Sequence, residues 1–250
     1  MRDWDSDPIV GRLERDTLPW GCGAAVASFL LNGVWLACLV ALESRGGAAQ
    51  QARTEPFVFR LGVGSALLIT VLQVPILVAM VALAARRGVG RAMIGGLLYA
   101  VYVPINLVAY FSYGRLAPMV HSPSLSGEAE ALAVAGLVEI GRPLSLTGNL
   151  PMLGYALLGL AWCMLASALW SRGRLWKAAS GLLVMSGALS VLGGTGAFVD
   201  LSWLTNCCLA GGVVSLPALA MTGVAMWREV APSSRKSISS EAFDRKDGPT

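Results

Sequence analysis

Four of the five tyrosines, Tyr99, Tyr102, Tyr110 and Tyr113, fall in one apolar stretch together with Asn106. At about 100° per residue these five side chains lie within roughly one quadrant of a helix. Pro104 falls on the far side, where it removes one backbone hydrogen bond and bends the segment. Two further amides, Asn32 and Gln73, sit about halfway along apolar runs of their own, and Tyr155 does the same in a fourth run. The chemistry open to Asn32, Gln73, Tyr99, Tyr102, Asn106 and Tyr155 is hydrogen bonding inside an apolar bundle. Such groups form either an interhelical network or the wall of a polar cavity for a solute or lipid headgroup. Of the two, interhelical bonding is the simpler reading.

Other chemistry is poorly provided for. A serine nucleophile needs a base beside it, yet no apolar run carries a titratable partner for Ser65 or Ser186, and the single histidine, His121, lies in a loop. The HExxH pattern of a zinc protease is missing. The cysteines, Cys22, Cys38, Cys163, Cys207 and Cys208, show no CxxC or Cys/His spacing, so the expectation is no catalytic residue, no metal and no cofactor. Ion-coupled pumps carry an acid or a lysine within a span; here Asp200 and Glu43 lie at the ends of runs and read as interfacial charges. A disulfide from Cys38 to Cys207 or Cys208 is the one covalent link that an oxidising exterior would allow.

The elements that must position these side chains follow from composition. The 250 residues are 55% hydrophobic and 14% charged, with a mean hydropathy of +0.64, and the apolar residues come in long runs. Six runs, 20–42, 58–85, 92–114, 149–171, 175–198 and 203–227, are long enough to cross about 30 Å of hydrocarbon. The expected fold is an all-α polytopic transmembrane bundle of six spans. Residues 1–19 form a cytoplasmic N-terminal segment, 20–229 the membrane domain, and 230–250 a disordered cytoplasmic tail. The loop 115–148 holds one short helix, from Ser126 to Glu139, lying over the bundle. The fifth and sixth spans, separated only by Val199–Ser202, form an antiparallel hairpin.

Lys and Arg cluster in the N-terminal segment, the 86–91 and 172–177 loops and the C-terminal tail, fourteen against five in the loops between. The positive-inside rule places both termini in the cytoplasm. The net charge of +4 is thus explained by topology, and nucleic acid is not an expected partner. Trp20, Trp170, Trp176 and Trp227 fall at inner ends, and Phe57, Tyr113 and Trp203 at outer ends, as an aromatic belt requires; Trp35 and Trp162 belong deeper, against other helices. Pro75, Pro104 and Pro217 interrupt the second, third and sixth spans, the broken-helix pattern found at transporter sites, although kinks that only shape the bundle are the simpler account. Small residues four apart, Ala24/Ser28/Asn32, Ser186/Ser190/Gly194 and Gly211/Ser215, permit close helix approach within one chain or between two.

The six-span layout, with Asn149-Leu-Pro-Met-Leu-Gly-Tyr-Ala-Leu-Leu-Gly-Leu-Ala-Trp162 in the fourth span, resembles bacterial six-helix integral membrane families without an assigned function. That resemblance implies residence in a bacterial cytoplasmic membrane and carries no catalytic motif over. The expected partners are the lipid bilayer and a second membrane protein or copy of the chain. The expected role is non-enzymatic, an interaction or regulatory protein, with a small-molecule or lipid transporter as the alternative and an intramembrane enzyme third.

Overall fold

The computed structural model describes residues 8–43, 45–121, 127–138 and 145–244, with side chains as far as Val230 apart from those of Ile9, His121, Ala129, Ala131 and Leu146. Among the described residues the fold is all-α, without a strand. Six helices are long and apolar enough to cross a membrane: α1 (Pro8–Glu43), α3 (Pro56–Ala85), α4 (Val89–Leu116), α6 (Leu146–Leu169), α7 (Arg174–Phe198) and α9 (Cys207–Asp244). Three short ones, α2 (Ala48–Thr54), α5 (Glu128–Val138) and α8 (Ser202–Thr205), decorate one end of the bundle.

Each long helix packs against its neighbours in sequence, and α1 closes on α9, so the six form a ring. The short α3–α4, α6–α7 and α7–α9 connections enforce antiparallel pairing there. The α6–α7 reversal turns at Gly173, whose φ of 127° suits a residue without a Cβ. Gly159 and Gly187 let α6 and α7 approach until a Cβ on either would meet the other's backbone carbonyl. Ser186 Oγ donates to Gly211 O at 2.7 Å, tying α7 to α9. The small-residue faces of α7 and α9 therefore pack within this chain.

Packing is uneven along the ring. Leu18 and Cys22 of α1, Met80 and Leu83 of α3, Leu165 and Leu169 of α6 and Met226 of α9 belong to one continuous core that fills the half of the bundle nearest the α1 N-terminus. A smaller cluster at the other end joins Leu42, Ala48, Ala52, Phe59, Ala117 and Val138. It seats α2, the 117–121 turn and α5 over α1 and α3. Between the two clusters Ser186 and Ser190 of α7 and Gly211 and Gly212 of α9 border open space.

Several sequence expectations need correction. The first helix begins at Pro8, well before the apolar run at residue 20. Its early charges are tolerated because Glu14 finds partners, described below. Helix α2 was not expected, since its inward face is made of small residues, Ala48, Ala49 and Ala52. The short helix of the third loop is present as α5, while its expected ends, Ser126 and Glu139, lie outside the described residues. The backbone of α9 continues to Asp244 through the segment read as a tail, since elongating an existing helix needs no new nucleus. Phe57 and Trp203 are exposed at helix starts, and Trp20 and Trp227 are exposed within α1 and α9, but Trp176 is 3% exposed and packs in the core. The five cysteines are free: Cys38 faces Gly62 of α3 while Cys208 faces Gly193 of α7, so no Cys38–Cys208 bridge forms.

Candidate functional site

A cavity of about 380 Å³ occupies the loosely packed half of the ring, with all six long helices in its wall. It runs from Gln73, Tyr102 and Trp162 to the helix ends at Leu42, Gln51, Thr147 and Thr205. Most of the lining is apolar, and none of the described lining residues is Asp, Glu, Lys, Arg or His. The polar groups that line it are amides, phenols, hydroxyls, the Cys38 and Cys208 thiols and the Trp35 and Trp162 indoles.

These groups pair across helices. Tyr99 donates its hydroxyl proton to Gln73 Oε1, joining α4 to α3. One turn further along, Thr70 Oγ1 donates to the Ala66 carbonyl at 2.8 Å and accepts from Asn106 Nδ2 at 2.9 Å. Since the Thr70 proton is already placed on a carbonyl, only the amide nitrogen of Asn106 can face it, which fixes the orientation of the side chain. Nδ2 also donates to Tyr102 OH at 3.1 Å. Asn106 Oδ1 is then turned toward Gly154 of α6 and has no partner among the described residues. Another turn along, Tyr110 OH meets Tyr155 OH of α6 at 2.5 Å.

Of the residues singled out from sequence, Asn32, Gln73, Tyr102, Asn106 and Tyr155 line the cavity, and Tyr99 sits behind Gln73 in the core. Asn32 does not join the other amides. Its Nδ2 donates to the Ser28 carbonyl of its own helix at 2.8 Å, the back-bonding to which mid-helix polar residues resort. Thr70 and Tyr110 complete the network and were missing from the candidate set, although Tyr110 lies on the tyrosine stripe. Trp35 and Trp162 both reach the cavity. Pro104, on the opposite side of α4, is exposed.

A second polar cluster closes the other end of the ring, and sequence reasoning missed it. Glu14 of α1, 6% exposed, holds Arg86 Nε at 2.6 Å and an Arg172 terminal nitrogen at 2.9 Å. Arg172 also donates to Leu83 O at 3.1 Å and reaches Glu229 of α9 at 3.6 Å, and Glu229 accepts from Trp176 Nε1 at 3.0 Å. Two arginines and two carboxylates thus balance in charge and join the ends of α1, α3, α6, α7 and α9. The only signal in the sequence was a carboxylate inside a helix that continues into an apolar run.

The cavity offers hydrogen bonds and shape. No two of its groups form a nucleophile–base pair, and among the described residues no three His, Cys, Asp or Glu side chains converge on a point. No protein-family model, curated protein or solved structure matches the chain.

Proposed function

We propose that this is a non-enzymatic multi-pass protein of the cytoplasmic membrane, both termini in the cytoplasm, that binds an uncharged amphipathic small molecule or lipid in the cavity of its ring. The observation that carries the reading is the cavity itself: about 380 Å³, mostly apolar, with amides and phenols along one wall and no charged group in its described lining. A charged ligand placed there would lose its hydration without a counter-charge. An uncharged one keeps its apolar body against α1 and α3 and its polar group against α4 and α6. An interaction or regulatory role follows if partners read the filled and empty states through the cytoplasmic loops.

Native mass spectrometry of the detergent-purified protein tests this. The expected result is a neutral mass adduct on the wild type that is lost in Ala66→Phe, which fills the cavity from α3. A folded wild type that never carries or takes up a neutral amphiphile overturns the reading.

Transport is the second reading, and one observation favours it. The cavity reaches one end of the ring while the other end is closed by packed core and by the Glu14–Arg86–Arg172–Glu229 cluster, an arrangement suited to alternating access. Uptake into vesicles of the molecule found by mass spectrometry separates carriage from sensing.

A further inference from the structure

The Tyr110–Tyr155 contact leaves one proton without a place. Each phenol brings one O–H and can accept through its oxygen lone pairs. Whichever of the two donates across the 2.5 Å contact, the other hydroxyl keeps its proton, and no further acceptor for it occurs among the described residues. Of the remaining hydroxyls of the wall, Thr70 donates to Ala66 O, Ser186 to Gly211 O and Ser190 to Ser186 O, while that of Tyr102 accepts from Asn106 Nδ2 and is 2% exposed. Both rings are only part-buried and both line the cavity. The surplus O–H is therefore at the wall, where an unmade hydrogen bond costs free energy in a water-poor span.

We propose that this surplus phenol proton anchors the ligand, and that the group it binds is an uncharged carbonyl oxygen, so the ligand is a neutral lipid-like ester or quinone. The inference rests on the cavity being a ligand site. Carboxylate and phosphate acceptors are disfavoured because no described lining residue carries a positive charge. A carbonyl fits better than an alcohol because it accepts without adding a proton of its own. The one orphaned acceptor nearby, Asn106 Oδ1, is fully enclosed beside Gly154 rather than at the wall. The apolar remainder of the ligand lies along Trp35, Leu39 and Phe59.

The test compares matched probes with and without the carbonyl. Labelled dioctanoylglycerol is paired with its dialkyl ether, and decyl-benzoquinone with the dimethyl ether of its hydroquinone, in equilibrium binding to the purified full-length protein in micelles. At least one carbonyl probe is expected to bind about fivefold or more tightly than its ether partner, the worth of one hydrogen bond. That preference is expected to vanish in Tyr110→Phe/Tyr155→Phe, with ether binding unchanged. Either single variant still has one free O–H and keeps part of the preference. The substitutions preserve ring shape, and a thermal unfolding curve confirms that the double variant is folded. Equal binding of carbonyl and ether probes by the wild type, or a preference that survives the double substitution, overturns the carbonyl anchor and leaves the cavity reading standing. A folded wild type that binds none of the four probes overturns both.

Discussion

Glu14 and Arg172, 158 residues apart in the chain, form a 2.9 Å ion pair that is nearly closed to solvent. Burying such a pair is of little net benefit, because each ion loses its hydration, but removing one partner strands the other. Glu14 serves two guanidiniums, so its loss strands Arg86 and leaves Arg172 with only Glu229 at 3.6 Å and the Leu83 carbonyl. Glu14→Leu is expected to lower the stability of the solubilised protein by about 3 kcal/mol. Glu14→Leu/Arg172→Leu is expected to recover part of that loss. Thermal unfolding of the four members of the cycle checks both statements, and a non-additive term near zero would mean that the pair is not coupled.

The Gln73–Tyr99 bond obeys the same asymmetry at smaller scale. Both side chains are buried, and the bond joins the polar end of one to that of the other across α3 and α4. Tyr99→Phe leaves an amide oxygen without a donor, and Gln73→Leu leaves a phenol without an acceptor; each is expected to cost about 1–2 kcal/mol. The double variant removes donor and acceptor together and is expected to cost less than the sum of the two. Because Tyr99 lies behind the cavity wall, Tyr99→Phe is expected to leave ligand affinity within about twofold once stability is allowed for, whereas a change at Asn106 alters both. Unfolding curves and binding isotherms on the same samples separate the two effects.

Close approach of α6 and α7 depends on Gly159 and Gly187, each of which faces the other's carbonyl. A methyl group at either position has to push two helix backbones apart, and overpacking of this kind costs about 1–3 kcal/mol. Gly159→Ala is expected to fall in that range, while Gly33→Ala on α1, where an added Cβ meets nothing within 4 Å, is expected to be neutral or slightly stabilising. Yield of folded protein and midpoint of thermal unfolding report the difference.

The parts of this fold that were legible in the sequence are those set by one chain segment at a time. Six apolar runs of sufficient length give the six long helices, and the 100° periodicity of Tyr99 to Tyr113 gives the inward face of α4. What depends on a second segment was hidden. Arg86 reads as a topology charge and Glu14 passes unnoticed because nothing local says that they meet. Trp176 reads as a belt residue until Glu229, 53 positions away, takes its N–H. Tyr99 and Tyr110 share a stripe, yet one is sealed in the core and the other borders a cavity, because the two lie in different halves of the bundle. Hydropathy records how apolar a wall is and carries no information about the space in front of it.

Orientation supplies the last expectation. The positive-inside rule rests on fourteen Lys and Arg against five, but Arg86 and Arg172 are engaged by Glu14 and Glu229 and so serve the fold as well as the topology. Twelve basic residues remain on the proposed inner side without them, still well above five. Arg86→Gln/Arg172→Gln is therefore expected to lower stability through the stranded carboxylates while leaving the C-terminus cytoplasmic. A fluorescent reporter at the C-terminus that requires a reducing compartment is expected to stay bright per folded molecule, and an exported phosphatase fusion at the same point to stay silent. Active phosphatase on the wild type would reverse the assigned orientation. Activity confined to the double variant would mean that those two arginines, and not the remaining twelve, decide the topology.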